Sequence, residues 1–185
     1  MDARAEDVTA TWHHVHGIPV RVINSRSDIA TRAVVDRLEQ ALDLIALYAP
    51  RRFQRMAKDL SGIVVQRFAC RGAFFPQTRE CLVELTFTVN PAHSLQEIAA
   101  SIVHEATHAR LAARCGTLPE SLRPREERIC RRAELDFGMM LPDGAIVVER
   151  ARRALGLTDL DVAPAVDWRE AARRVESIDR QQLPG

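Results

Sequence analysis

Long apolar runs are missing from this 185-residue chain: the longest is about six residues. A helix crossing a bilayer needs roughly twenty, so no membrane role is expected. The opening stretch MDARAEDVTATWHH carries acidic residues and no apolar segment, so it does not read as a secretion signal, and a cytoplasmic location is the expectation. None of the four cysteines (Cys70, Cys81, Cys115, Cys130) forms a CxxC pair; without a secretion signal, reduced thiols are expected rather than a disulfide framework. Aromatic residues make up only 5%, and no basic block is interleaved with them. The 26 Lys and Arg, arginine far ahead of lysine, are balanced by 25 Asp and Glu spread along the same segments, which gives nucleic-acid binding little support. Repeats, low-complexity tracts and long linkers are also missing. One domain over residues 1–185 is therefore expected, with a core at about 18–142 and a helical extension at 143–185.

What is there is ordinary material for a packed core: 46% hydrophobic and 28% charged residues. Ile18–Ile23 alternates and is β-branched, predicting a first strand, and IVVQRF after Gly62 predicts a second. Cys81 to Val89 alternates most regularly and predicts a third, with Cys81, Val83, Leu85, Phe87 and Val89 on one face. Helices are predicted over 29–48 with Asp28 as N-cap, over 51–59, and over 121–140, ended by Pro142. Two more follow near 144–155 and 167–180, the second with Asp167 and Glu170 in capping-box spacing. Between the third strand and the 121–140 helix, Ser94-Leu95-Gln96-Glu97 is a capping box opening a helix that runs to Cys115, with Gly116 just past its end. The fold class is α+β, a small mixed sheet packed on that helix and a mostly helical C-terminal half.

That helix contains HEATH. His104 and His108 are four residues apart, so both imidazoles stand on one helical face about 6 Å apart, as a tetrahedral zinc ion requires. Glu105 follows the first histidine, where its carboxylate reaches a metal-held water as general base. On the helical wheel Leu95, Ile98, Ala99, Ile102, Ala106, Ala109 and Ala113 share a face, and the two histidines lie roughly opposite. With six histidines and thirteen glutamates in the chain, such a motif arises by chance in roughly one sequence in a hundred. The bland alternative is a pair of solvated surface histidines.

A catalytic zinc needs a third protein ligand. Arg114 stands where the HExxHxxGxxH pattern would place a third histidine. The next helix offers Glu126, Glu127 and Glu134, with Cys130 among them. On the wheel Glu126 is nearest the middle of the apolar stripe of Ile129, Cys130, Ala133, Phe137 and Met140, with Glu127 and Glu134 on its flank. A buried carboxylate there would want a cation, and the losing candidates would be outer partners orienting a histidine or plain solvated charges. Cys130 reads first as a buried small hydrophobe and second as a thiolate ligand.

A strand, then HExxH on a helix, then glutamates on the following helix resembles the gluzincin branch of zincin metallopeptidases, over about residues 80–142. HEATHARL and EERICRRAELDF resemble small bacterial proteins of that type, and Arg125, Glu127 and Cys130 match their recurrent RxExxC element. The resemblance implies a zinc-dependent peptidase acting on a peptide or protein, with metal on His104, His108 and Glu127 and with Glu105 as catalytic base. Glu127 lies 19 residues after His108, a spacing such enzymes use. The resemblance also implies that strand 81–89 is an edge strand pairing with substrate, although an interior strand fits the residues nearly as well. Residues 73–78 would be a loop over the cleft. Rival readings are a non-enzymatic module with the same site, and a helical interaction protein without metal. His13, His14 and His16 form a second histidine cluster, and His93 is a candidate oxyanion partner; solvation and an ordinary loop role are the simpler readings of each. Tyr48 reads as core.

Overall fold

The computed structural model describes residues 10–116, 118–164 and 168–182. It is α+β. Strands β1 (Thr11–Val15), β2 (Ile18–Ile23), β3 (Gly62–Gln66), β4 (Gly72–Phe75) and β5 (Glu80–Glu84) form one mixed sheet in the order β1-β2-β3-β5-β4. The outer pairs, β1 with β2 and β4 with β5, are antiparallel, while β2, β3 and β5 run parallel. Helices α1 (Thr31–Tyr48) and α2 (Pro50–Asp59) cross from β2 to β3. After β5 come α3 (Leu85–Val89), α4 (Leu95–Cys115), α5 (Arg123–Met140), α6 (Ala145–Leu155), α7 (Asp159–Val162) and α8 (Trp168–Gln182). No helix among the described residues is long and apolar enough to cross a membrane.

Several predicted elements shift, each for a local reason. The β1–β2 hairpin was not expected. His16 and Gly17 turn it with φ of 50° and 79°, the two left-handed positions a tight hairpin needs. In β1, His13 bonds Thr11, while His16 in the turn bonds Asp43, so these two histidines do not converge. Asp28 does not cap α1. It pairs with Arg26 at 2.7 Å, and α1 begins after Ala30 without a side-chain cap. Pro50 does not merely end α1 but opens α2, as N1 allows.

The main correction falls on 81–89: the strand stops at Glu84. Its carboxylate accepts the Phe87 N–H at 2.6 Å and the Thr86 hydroxyl at 2.7 Å, while Thr88 donates to the Glu84 carbonyl. These bonds cap and hold α3, overriding the alternation of LTFTV. Tertiary hydrogen bonds beat β-propensity here.

Nor is β5 an edge strand, since it lies between β3 and β4. The segment 73–78, expected as a loop, contributes most of β4, and β4 is the edge. Strand β3 is buried on both faces, with Ile63, Val64 and Val65 all at 3% exposure or less, as an interior parallel strand should be.

The core lies between the sheet and α1, α2 and α4. Tyr48 packs partly buried against it, as expected. Both halves of the α4 capping box are made, Ser94 Oγ with the Glu97 N–H (3.2 Å) and Glu97 Oε2 with the Ser94 N–H (3.0 Å). The wheel anticipated one buried face on α4, but from Glu97 to Glu105 the helix is buried all round, His104 included, because α1, α2, α5, α6 and the β4–β5 hairpin all pack on it. On α5 the apolar stripe holds only in part: Cys130, Ala133 and Phe137 are buried, Ile129 and Met140 are exposed, and Glu134 is fully buried at 1%. Helix α6 packs along α5 and covers that flank. Helix α8 spans 168–182; the Asp167 cap expected for it lies outside the described residues.

Candidate metal centre

Helix α4 places His104 and His108 one turn apart, facing α5. Their Nε2 atoms stand 3.2 Å from each other. From α5 the Glu127 carboxylate meets both, with Oε2 3.2 Å from His104 Nε2 and Oε1 3.5 Å from His108 Nε2. The two other glutamates sit behind the rings. Glu126 Oε1 is 2.9 Å from His108 Nδ1. Glu134 Oε1 is 2.6 Å from His104 Nδ1, although off the line of a well-aligned ring N–H bond. Glu134 is held in turn by Arg131 (2.5 Å) and Arg150 (3.3 Å).

The three glutamates thus take different places: one in front of both imidazoles, and one behind each. At His108 the Glu126 carboxylate on Nδ1 fixes that nitrogen as the proton carrier and aims the Nε2 lone pair forward; at His104, Glu134 stands beside Nδ1 as an ion-pair partner.

A second nitrogen pair sets the electrostatics. Two Nε2 atoms at 3.2 Å leave room for at most one hydrogen between them. Burial works against charge on His104, but Glu127 and Glu134 outweigh it and raise its affinity for a proton. Burial works against charge on His108 too, yet Cys130, Glu126 and Glu127 push it well above the usual range. Glu127 itself is held far below the usual carboxylate range: burial opposes this, and both histidines overcome it. Glu105 goes the other way, raised chiefly by burial and partly offset by the two histidines. Four carboxylates (Glu105, Glu126, Glu127, Glu134) face two arginines (Arg131, Arg150), and this excess of carboxylate is what draws a proton, or another cation, to the imidazoles.

The distances fit a metal. Ligand atoms at 2.0–2.1 Å from a tetrahedral zinc ion lie about 3.3 Å apart; the two Nε2 atoms stand 3.2 Å apart, and Glu127 reaches them through separate oxygens, Oε2 at 3.2 Å and Oε1 at 3.5 Å. Cys130, fully buried one turn beyond Glu127, is a further donor close by, within 4.8 Å of ligand atoms of both histidines. Burial raises its thiol to about 11, with His108 pulling it down.

A cavity of about 420 Å³ opens onto both histidines, Glu105 and Glu127. Glu105 makes no hydrogen bond among the described residues and packs under β4. A Cβ at Gly72 would fall 3.0 Å from Glu105 Oε1 and 2.9 Å from Ser101 Oγ, so a larger residue in the strand would displace both side chains. Several lining residues had no signal in the sequence reading. Cys70 is one, its thiol raised to about 11 by burial and by Glu105. Arg123 and Arg131 are others, as are Val162, Ala163 and Pro164 from beyond α6. Long-range packing brings them in, and no local spacing encodes it. His93 does not line the cavity; it lies against the Phe87 ring (4.9 Å) and beside Glu97.

No family model, curated protein or solved structure matches this chain.

Proposed function

We propose that this protein is a zinc-dependent, zincin-like peptidase, with the ion held by His104, His108 and Glu127. The observation that carries the reading is the meeting of two Nε2 atoms 3.2 Å apart with one carboxylate whose two oxygens lie 3.2 and 3.5 Å from them, each imidazole backed by its own glutamate. When bound, zinc would supply Lewis-acid polarisation of a water and of the scissile carbonyl. Glu105 takes the proton of the attacking water and later delivers it to the leaving amine. A carboxylate whose proton affinity is raised by burial is suited to both transfers. Glu126 and Glu134 hold the rings in the orientation that keeps the Nε2 lone pairs forward. Strand β4 is the sheet edge beside the cavity, so an extended peptide would add to it as a further strand. Walls built from Ala73, Phe74, Leu118 and Val162 favour apolar side chains flanking the cleaved bond.

The test is a pair of measurements on untagged protein. One equivalent of zinc should bind, and Glu105→Gln should retain it while abolishing hydrolysis of a denatured-protein substrate. Hydrolysis at the wild-type rate by that variant would falsify the general-base role.

Cys130 supports a second reading. With Cys130 as fourth ligand the site would be closed, and closed zinc sites are structural. The open cavity beside Glu105 favours the first. Cys130→Ser decides between them: zinc affinity within a few-fold of wild type leaves an open position, whereas a loss beyond a hundredfold makes the thiolate a ligand.

A further inference from the structure

Helix α5 turns its opposite face to a second feature. Arg125, Arg128 and Arg132 recur at i, i+3 and i+7 on that face and line a groove of about 450 Å³ together with Arg52 of α2. A smaller cavity of about 90 Å³ shares Arg52 and Thr107 in its wall and adds Arg55 and Arg110. Six arginines therefore border one trough between α2, α4 and α5. Three of them are engaged by acidic residues of the chain: Arg52 by Asp136 (3.1 Å), Arg110 by Asp59 (3.3 Å) and Arg128 by Asp159 (2.8 Å). Arg55, Arg125 and Arg132 are exposed and have no ion pair or hydrogen bond among the described residues. A surplus of three positive charges in one groove is a strong local asymmetry in a molecule whose formal net charge is +1. The floor is apolar, with Ile129 at 41% exposure beside Ala133.

We propose that this groove docks an acidic polypeptide segment, carboxylates on Arg55, Arg125 and Arg132 and an apolar side chain on Ile129. Guanidinium forks pair bidentately with carboxylates or phosphates, and two features select the carboxylate-bearing chain. Among the described residues no aromatic side chain lines either cavity, so bases would have nothing to stack on. A narrow concave trough with an apolar floor suits a peptide, whereas a phosphate backbone has no use for Ile129. The groove lies on the side of α5 away from the histidines, so the proposal is independent of the metal reading.

The experiment uses fluorescence anisotropy with three labelled probes: a peptide of alternating glutamate and leucine, the same peptide with glutamine for glutamate, and a single-stranded oligonucleotide of equal charge. The acidic peptide should bind saturably and weaken as salt rises, and the glutamine peptide should not bind. Arg125→Ala and Arg132→Ala should each weaken it about fivefold, the size of one exposed charge pair, and the double variant about twenty-five-fold, because separated contacts add. Both side chains are exposed and unpaired, so the variants should keep the wild-type circular dichroism and melting temperature. No saturable binding, equal binding in the double variant, equal binding of the glutamine peptide, or tighter binding of the oligonucleotide would each overturn the proposal.

Discussion

Replacing each of the three α5 glutamates by glutamine separates their roles, because the geometry assigns each a different loss. Glu127 faces both Nε2 atoms. Structural zinc binds small domains with about 10–16 kcal/mol over four positions, so one charged ligand accounts for about 3 kcal/mol, or over a hundredfold in affinity. Glu126 and Glu134 each back an imidazole, and changing such outer partners costs about 10–100-fold. Glu134 belongs near the upper end, at 2.6 Å and 1% side-chain exposure, and Glu126 near the lower, at 2.9 Å and 21%.

Metal-free stability follows a different order. Glu134 is buried among His104, Arg131 and Arg150. Breaking a buried pair costs about 3–5 kcal/mol, but the two arginines are 30% and 26% exposed and can turn to water, so about 2 kcal/mol is the reasonable figure. At about 2–4 °C per kcal/mol for a chain of this size, the metal-free Glu134→Gln protein should melt about 4–8 °C lower, and Glu127→Gln, whose carboxylate is 17% exposed, should lose less. Chelator-competition titration gives the affinities, and scanning calorimetry in excess chelator gives the stabilities. Glu127→Gln should be worst for zinc and Glu134→Gln worst for the metal-free fold. If Glu127→Gln kept zinc within tenfold while Glu126→Gln or Glu134→Gln lost it, the ligand assignment would be wrong.

Gly72→Ala should press a methyl group onto Glu105 and Ser101, lowering kcat at least tenfold while one equivalent of zinc is retained; metal analysis beside kinetics checks both. Gly144→Ala should lose most of the soluble folded protein, because its Cβ would fall 1.9 Å from the Gly138 carbonyl oxygen; expression and circular dichroism report it. Asp179 ties α8 to Arg67 (2.8 Å) and Arg26 (3.1 Å), and Arg67 first, then Arg26, hold its carboxylate below the usual range. A depressed folded-state pKa stabilises above the unfolded value near 3.9 and is lost as pH falls through the folded one. The gap in melting temperature between wild type and Asp179→Asn should therefore be constant from pH 7 to about 5 and shrink below pH 4; a gap that stays constant to pH 2.5 would refute that role.

Helix α4 was readable because its signals are local. A capping box, a glycine beyond the last turn and a four-residue spacing all act within one helix, where geometry is fixed by 3.6 residues per turn. The same locality explains the failures. LTFTV alternates as a strand would, and nothing nearby announces that Glu84 will turn its carboxylate back onto Phe87. Strand β4 is four residues long, with no alternation that its sequence could display. The α5 wheel assumed one partner, and α6 supplied another, burying Glu134 and leaving Ile129 outside.

The arrangement of α5 carries the larger argument. Within eighteen residues it presents Glu126, Glu127, Cys130 and Glu134 to the α4 histidines and Arg125, Arg128 and Arg132 to the opposite side. Buried carboxylates so close together repel, and such a face is stable only if cations meet it. Arg131 and Arg150 meet part of that demand, at Glu134. The remaining demand is concentrated at Glu127, between two imidazoles whose Nε2 atoms cannot both keep a proton at 3.2 Å. A divalent ion satisfies all three groups at once, where protons satisfy them only singly. Metal addition should therefore stabilise the fold well beyond nonspecific screening: at a thousand times the dissociation constant, about 4 kcal/mol, or roughly 8–16 °C in melting temperature. Magnesium, a hard ion that prefers oxygen ligands and keeps its waters, should give little of this, and His104→Ala should give none.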